Sequence, residues 1–185
     1  MCYHLYSNRQ ERGIRDDRMG HVEHRKDSPT RLNFIIVTVS DTRGEKEDSS
    51  GKVLCEMVLN AGHALLDRYR VKDESSEIQS LISTLLTNES VDVILLTGGS
   101  GIARRDVTVE GIRPFLEKEI DGFGELFRHL SYLEIGPPAM LSRAIAGVAG
   151  GKIVFSLPGS ENAVRLAIEK LILPEVGHMV WEARK

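Results

Sequence analysis

The sequence predicts an α/β fold: a mostly parallel β-sheet with helices on both faces, arranged as a three-layer sandwich. From about residue 32 onward, short β-branched runs alternate with segments of helical periodicity. Several of the runs are apolar on both faces, which is typical of strands buried between two helical layers. The helical segments between strands allow the crossover connections that parallel pairing needs.

Four segments are predicted as strands. Residues 34–40 (FIIVTVS) are β-branched and apolar on both faces, so a fully covered strand is expected. Residues 63–71 mix polar and apolar side chains and are expected nearer an edge of the sheet. Residues 91–97 (VDVILLT) form a central strand and residues 152–157 (KIVFSL) a fourth strand.

Helical periodicity predicts two helices in the first half of the chain. The first is capped by Asp48 or one of the two serines after it, and it ends at Gly62. The second covers residues 75–86 and opens with a capping box from Ser76 to Gln79.

The second half of the chain contains four more predicted helical segments. Thr108 is a candidate cap for a helix that extends to about Lys118. Residues 123–133 form another helix, and residues 139–151 are predicted as a short helix that ends in glycines. The last helix follows the fourth strand and is stopped or bent by Pro174.

Length and polarity predict one domain with an extension. Residues 1–31 are polar and highly charged, so we interpret them as a flexible N-terminal extension. Residues 32–185 are assigned to a single α/β domain, a size that supports one hydrophobic core. A further hypothesis is that translation starts at Met19, which would make residues 1–18 an artefact of start assignment.

Composition argues against several classes of protein. The net charge is −3 and aromatic residues make up 5%, which disfavours nucleic acid as a partner. No apolar run approaches the roughly 18 residues that a membrane span needs. Only Cys2 and Cys55 occur, so a disulfide scaffold is not expected and a reducing cytoplasm is the expected compartment. No spacing of histidine and cysteine indicates a zinc site.

Polar or glycine-containing segments follow all four predicted strands. They are SDTRG (40–44), VKDES (71–75), TGGSG (97–101) and LPGS (157–160). Ligands of such sheets bind beyond the carboxyl ends of the strands, so we expect the four segments to line one pocket.

The glycine-containing segment after the third strand is a candidate anion site. Glycines permit close approach of a ligand and positive φ, and successive amides can cradle an anion. Ser100 adds a hydroxyl donor, and Arg104 or Arg105 adds charge suited to phosphate. The alternative is a tight surface turn beside a solvated charged face. The segment lacks both the G-x-G-x-x-G spacing of a dinucleotide site and the lysine of a Walker loop.

Asp41, Asp73 and Asp106 follow the first three predicted strands. Carboxylates that converge on a phosphate repel it unless a divalent cation lies between them, and Mg²⁺ suits that arrangement. The alternative for Asp73 is a helix cap, and for Asp106 it is a salt bridge to a neighbouring arginine. Ser160, at a predicted helix N-terminus, is either part of the same anion site or an ordinary cap.

These segments together resemble the molybdenum cofactor biosynthesis family of MogA/MoaB type, the molybdopterin adenylyltransferases. The matching pieces include TVSDTR, TGGSGIARRDVTVE, DGFGELFR, SRAIAG and LPGSENAV, in family order over about residues 33–173. The segment GFGELFRHLSYLEIG resembles the MoaB branch more than the MogA branch.

The resemblance implies a molybdopterin-binding-domain fold and a homotrimer or trimer-based hexamer. It also implies Mg²⁺-dependent transfer of AMP from ATP to the terminal phosphate of molybdopterin, with release of pyrophosphate. Other proteins of the molybdenum cofactor pathway are further candidate partners. The alternative is a protein of the same fold that binds molybdopterin without catalysis.

The site residues of the family carry over position by position. Its two critical aspartates correspond to Asp73 and Asp106, as catalytic residues and as ligands of Mg²⁺, directly or through water. Two departures are Ser100 in place of the usual threonine and Val109 in place of the usual proline. The candidates for phosphate and substrate binding are Ser40, Asp41, Gly98, Gly99, Ser100, Gly101, Arg105, Thr108, Ser142, Arg143, Pro158, Gly159 and Ser160.

Overall fold

A single six-stranded sheet organises the computed structural model, which describes residues 27–41 and 48–185. The strands are β1 (Asn33–Val39), β2 (Ala64–Val71), β3 (Val93–Thr97), β4 (Lys118–Glu119), β5 (Ile145–Ala149) and β6 (Lys152–Leu157). Their order in the sheet is β2-β1-β3-β6-β5-β4. The first four strands in that order are parallel, and β5 is antiparallel to both of its neighbours. The prediction of a mostly parallel sheet is therefore confirmed.

Within residues 27–41 and 48–185, six α-helices connect and cover the strands. They are α1 (Ser49–Asn60), α2 (Ser75–Thr87), α3 (Thr108–Ile112), α4 (Asp121–Ile135), α5 (Glu161–Ala167) and α6 (Leu173–Ala183). Short 3₁₀ turns occur at Arg113–Phe115 and Pro137–Leu141, and a π-helical turn at Ile168–Ile172 joins α5 to α6. None of the described helices combines the length and the apolar character that crossing a lipid bilayer requires.

Alternate residues of β1 point into two separate apolar layers. Phe34 and Ile36 pack in the layer that contains α1, α4, α5 and α6. Ile35 and Val37 pack in the layer that contains α2 and α3. All four side chains are at most 2% exposed, and each such burial contributes roughly 1.5–3 kcal/mol. The three-layer prediction is thus confirmed, since the strand is buried on both faces.

The predicted helix at residues 139–151 is wrong. After the 3₁₀ turn, the chain forms β5, which pairs with β6 through a two-residue turn at Gly150 and Gly151. The φ angles of these glycines are +56° and +69°, a backbone that tight hairpins favour and that other residues adopt with strain. The glycine pair before an apolar β-branched run was therefore a hairpin signal and did not mark a helix end.

The helix predicted from Thr108 to Lys118 is shorter than expected. It ends as α3 at Ile112, and Pro114 follows within a 3₁₀ turn. Proline has no amide hydrogen to continue the helical hydrogen bonds. Lys118 consequently lies in the edge strand β4.

Two of the predicted N-terminal caps are also wrong, and one is confirmed. The N-cap of α2 is Glu74, so the capping box from Ser76 to Gln79 does not form. Thr108 is the first residue of α3 and does not cap it. At α1 the N-cap is Asp48, which accepts a hydrogen bond from the amide of Gly51 at 2.9 Å.

Pro174 does not stop the last helical segment, which continues to Ala183. It lies in the first turn of α6, where a missing amide hydrogen has no helical partner to lose. Residues 1–26 lie outside the described part of the chain. The N-terminal extension and the start at Met19 therefore stay predictions.

Candidate functional site

The carboxyl ends of the four parallel strands meet at one cavity of about 590 Å³. The segments that follow β1, β2, β3 and β6 all contribute to its wall, as expected for a sheet of this topology. The cavity brings together these predicted residues: Ser40, Asp41, Asp73, Gly98, Gly99, Ser100, Gly101, Arg105, Asp106, Ser142, Pro158, Gly159 and Ser160.

Close packing explains the glycine at the start of the segment after β3. Gly98 has a φ of +102°, and a Cβ at this position would lie 2.2 Å from the carbonyl oxygen of Val39. Its amide donates to the carbonyl of Leu157 at 3.1 Å. The segment is therefore held between the ends of β1 and β6, a place that only glycine fits.

Thr108 supports the glycine segment but is not part of the cavity lining. Its hydroxyl donates to the carbonyl of Gly98 at 2.8 Å, and its amide donates to the carbonyl of Gly99 at 3.0 Å. Thr108 is fully buried. The prediction that Thr108 contacts the substrate stays a prediction, and in this structure Thr108 holds the backbone of the segment.

Three consecutive amides of the segment remain available to a ligand. Within the described part of the chain, no hydrogen bond uses the amide hydrogens of Gly99, Ser100 or Gly101. These residues form part of the cavity wall. Successive free amides of this kind make an anion-binding concavity.

The three aspartates lie around this segment. The amide of Asp73 donates to Oδ1 of Asp41 at 3.1 Å, and Asp41 also forms an ion pair with Arg105. Oδ2 of Asp106 accepts from the amide of Ala103 at 2.7 Å. The predicted alternative, in which Asp106 is tied up by a neighbouring arginine, does not occur among the ion pairs of the described residues.

Burial raises the pKa of Asp73 above its ordinary value. The negative charges of Asp41 and Asp106 add to the increase, although a hydrogen bond that the Asp73 carboxylate accepts from the backbone of Asp41 and the charge of Arg105 partly oppose it. A carboxylate that is desolvated beside two others is unfavourable for folding and typical of functional sites.

This raised pKa predicts how stability responds to pH. Above its folded-state pKa, Asp73 is ionised in both the folded and the unfolded chain, and its ionisation destabilises the fold. As the pH falls through the raised pKa, the folded state takes up the proton first, so this destabilisation disappears. We expect Asp73→Asn to raise the free energy of unfolding at pH 7, and the gain to vanish near pH 4, about the unfolded-state pKa.

Urea denaturation of both proteins at several pH values measures this difference. The exposed substitution Glu89→Gln serves as the control and should show no such trend. A gain for Asp73→Asn that stays constant from pH 7 to about pH 4 would contradict the account.

Arg143 lies behind the glycine segment and not in the cavity wall. Its guanidinium donates to the carbonyl of Gly101 at 2.6 Å and to that of Asp106 at 2.7 Å, and it forms an ion pair with Glu110. The amide of Arg143 donates to the carbonyl of Ser100 at 3.1 Å. The prediction that Arg143 contacts the substrate stays a prediction, and in this structure its donors brace residues 100–106.

The bracing by Arg143 leads to a stability prediction. Arg143→Lys keeps the charge but loses the planar fork that reaches two carbonyls and a carboxylate. We expect the free energy of unfolding to fall by about 1–2 kcal/mol. Arg165→Lys, at an exposed pair with Glu161, is the matched control and should change it by less than about 0.5 kcal/mol. Equal losses in the two variants, measured by urea denaturation, would show that Arg143 does not brace the segment.

Sequence reasoning missed the part of the cavity that lies inside regular elements. Thr38 is in β1, Ser50 in α1, and Phe127 and Ser131 in α4. The only sequence signal of Thr38, Ser50 and Ser131 was a polar side chain on an otherwise apolar, buried face. Apolar residues of the turn after α4 also contribute to the wall: Pro138, Ala139 and Leu141.

Comparison with known sequences identifies the family. A family model described as "Probable molybdopterin binding domain" matches residues 35–178. Molybdenum cofactor biosynthesis protein B of Bacillus cereus is 52% identical over 168 residues, which cover 90% of this chain and 99% of that protein. The protein of the same name from Bacillus subtilis is 48% identical over 164 residues, covering 88% of this chain and 96% of that protein.

Comparison with solved structures agrees. The crystal structure of a molybdenum cofactor biosynthesis protein B matches with a TM-score of 0.81 at 52% identity, covering 85% of this chain and 99% of that one. The tungsten cofactor synthesizing protein MoaB from Pyrococcus furiosus matches with a TM-score of 0.78 at 39% identity, covering 85% and 100%. With a family model that spans most of its length, this chain belongs to the molybdopterin-binding-domain family of MogA/MoaB type.

Proposed function

We propose that the protein acts in molybdenum cofactor biosynthesis by transferring AMP from ATP to molybdopterin, giving adenylyl-molybdopterin and pyrophosphate. Support comes from one observation above all: free main-chain amides and three carboxylates share a single cavity. Family membership points the same way, since similar proteins are named for molybdenum cofactor biosynthesis. A site that combines anion-binding donors with carboxylates suits phosphoryl chemistry that is assisted by a divalent cation.

The transfer needs little covalent chemistry from the protein. An oxygen of the molybdopterin phosphate attacks the α-phosphorus of ATP, and the bond from that phosphorus to the bridging oxygen breaks as pyrophosphate leaves. The amides of Gly99, Ser100 and Gly101 hold phosphate oxygens and stabilise the charge of the transition state. Fixing both reactants in line in one cavity lowers the entropic part of the barrier.

Asp73 and Asp106 would hold Mg²⁺, directly or through water. The donor set fits, because carboxylate oxygens are hard ligands and the cation completes its shell with phosphates and water. The described residues contain no cluster of three or more acidic, histidine or cysteine side chains able to hold a metal without a ligand. When bound, Mg²⁺ neutralises phosphate charge. Arg105, which is exposed and pairs with Asp41, can exchange that partner for a phosphate oxygen.

The glycines of the segment leave room for this arrangement. A Cβ at Gly99 would lie 2.4 Å from Oδ1 of Asp73, and one at Gly101 would lie 2.8 Å from Oδ2 of Asp106. A side chain at either position would displace a carboxylate from the cavity. The absence of side chains therefore keeps both aspartates beside the free amides.

An assay with ATP labelled at the α-phosphate tests the proposal. Purified protein, molybdopterin and Mg²⁺ should give labelled adenylyl-molybdopterin and an equal amount of pyrophosphate. Omitting Mg²⁺ should stop the transfer. If molybdopterin binds but takes up no label, the protein is a binding module of this fold and the proposed transfer is refuted.

The proposal includes a homotrimer or a hexamer built from trimers. Large apolar side chains on α4 and the following turn are half or more exposed: Leu126, Tyr132, Leu133, Ile135, Met140 and Leu141. Apolar exposure concentrated in this way is typical of protein interfaces. Light scattering should give three or six times the chain mass, and Leu133→Asp should reduce it. A monomer at micromolar concentration would refute this part of the proposal.

A further inference from the structure

The deep end of the cavity has a different chemistry from its mouth. The mouth carries the exposed charges of Asp41 and Arg105. We call the most buried part of the lining the deep end; it includes the hydroxyl-bearing residues Thr38, Ser50 and Ser131, which are 3%, 1% and 6% exposed. Phe127, one helical turn before Ser131 on α4, is also buried in the cavity lining.

A buried carboxylate behind the deep end fixes two of these hydroxyls. Asp48 accepts from Oγ1 of Thr38 at 2.6 Å and, over a longer distance of 3.4 Å, from Oγ of Ser50. It also accepts from the amide of Gly51 and forms an ion pair with Arg68. A Cβ at Gly51 would lie 2.4 Å from Oδ2 of Asp48, so the network requires glycine there.

Asp48 is ionised in this network and can only accept hydrogen bonds. Burial by itself would raise the pKa of Asp48, but the hydrogen bonds from Thr38, Gly51 and Arg68 outweigh burial and lower the pKa below its ordinary value. An ionised carboxylate has no hydrogen to donate. The hydroxyl of Thr38 must therefore be the donor in its bond to Asp48, and so must that of Ser50.

The direction of these hydrogen bonds determines what the cavity presents to a ligand. A hydroxyl has one hydrogen and two acceptor sites. Thr38 and Ser50 direct their hydrogens to Asp48, so only their lone pairs remain for the cavity. The hydroxyl of Ser131 is a third such group: none of the side-chain hydrogen bonds among the described residues involves it, and it lies in the cavity wall.

One part of the cavity thus offers hydrogen-bond donors to a ligand, and another part offers hydrogen-bond acceptors. The segment after β3 presents free amide hydrogens, which suit an anion. The deep end presents hydroxyl acceptors, and the same cavity is lined by the ring of Phe127 and by the small side chains of Ala139 and Ala163, which suits a flat ring that carries a donor. We propose that Thr38, Ser50 and Ser131 select a heterocycle through its exocyclic amine.

This inference rests on the proposed function for the identity of the ring. Both the pterin of molybdopterin and the adenine of ATP carry an exocyclic amine on a flat heterocycle. The shared chemistry is a primary aromatic amine at the edge of the ring, and a comparison of matched ligands decides which ring supplies it.

The inference can be tested with the wild-type protein and two pairs of ligands. The two members of each pair differ only in the exocyclic amine. One pair is AMP and purine riboside 5′-monophosphate, and the other is pterin and 4-hydroxypteridine. Calorimetry or ligand fluorescence should show that removal of the amine weakens binding about tenfold or more in one pair. A loss in the first pair assigns the deep end to adenine, and a loss in the second assigns it to pterin. Equal affinities within both pairs would overturn the inference.

Variants then test which residues select the amine. Ser131→Ala leaves the Asp48 network intact and should reduce the difference within the affected pair. Thr38→Val should reduce it further, whereas Thr38→Ser keeps the hydroxyl and should preserve it. Unchanged discrimination in Ser131→Ala, together with unchanged discrimination in a folded Thr38→Val, would refute the assignment. If Thr38→Val does not fold, Ser131→Ala and the ligand pairs decide.

These measurements separate the inference from the proposed function. They record equilibrium binding and need no AMP transfer. Amine selectivity without transfer would refute the proposed activity alone. Transfer without amine selectivity would refute the assignment of the deep end alone.

Discussion

Asp106→Asn is expected to lower the rate of AMP transfer by a factor of roughly 10² to 10⁴ while the fold stays intact. The asparagine carbonyl can still accept the hydrogen bond that Asp106 receives from the amide of Ala103. The local backbone should therefore keep its conformation. What the variant lacks is the negative charge that would hold Mg²⁺ beside the substrate phosphates.

Steady-state release of pyrophosphate in saturating Mg²⁺ measures the effect. Glu89→Gln is an exposed substitution before the amino end of β3, whereas the site segment follows the carboxyl end of that strand, so this variant should keep the wild-type rate. Thermal unfolding of both variants checks that the fold is retained. A near-normal rate for Asp106→Asn would remove Asp106 from the mechanism.

Gly98→Ala is expected to lower the free energy of unfolding by roughly 3 kcal/mol or more. The added Cβ would lie 2.2 Å from the carbonyl oxygen of Val39, and the φ of +102° is itself unfavourable for alanine. The contact is with backbone, which cannot rotate away as a side chain can. Either the end of β1 or the segment itself must move, so the amides that face the cavity should be displaced too.

Gly62→Ala is the matched control for this variant. Gly62 also has a positive φ, +84°, but a Cβ there would meet no atom within 4 Å. We expect a loss of only about 1–2 kcal/mol, the cost of the backbone conformation alone. Urea denaturation of both variants separates the contact from the conformation. Equal losses would mean that Gly98 is not wedged against β1.

The strands were predictable where their signal is local. Lys152–Leu157 was predicted to the residue, because a β-branched apolar run between glycine and proline is typical of a strand and of no other element. β5 was missed because its alanines and glycines, at Ile145–Ala149, fit helix and strand patterns equally. Pairing with β6 decides the outcome there, and such pairing is a tertiary effect that outweighs local propensity.

The site residues were predictable where they follow a strand. Asp73 lies two residues after the end of β2, and Asp106 lies in the longer connection that follows β3. The carboxyl ends of parallel strands meet at one edge of the sheet, so both aspartates reach the same cavity. The role of Arg143 was not predictable, because its partners are carbonyls and Glu110, placed by the fold. Ser50 and Ser131 were missed as parts of the cavity for a related reason. They lie at or within regular elements, where a polar residue has no local sign of facing a ligand.

A crystal structure with Mg²⁺ and a non-hydrolysable ATP analogue would show where the phosphates and the cation bind. We expect phosphate oxygens to accept hydrogen bonds from the amides of Gly99, Ser100 and Gly101. We also expect the cation to contact Asp73 and Asp106, directly or through one water. A nucleotide bound on another surface, or phosphates in the cavity with no cation near either aspartate, would contradict these expectations.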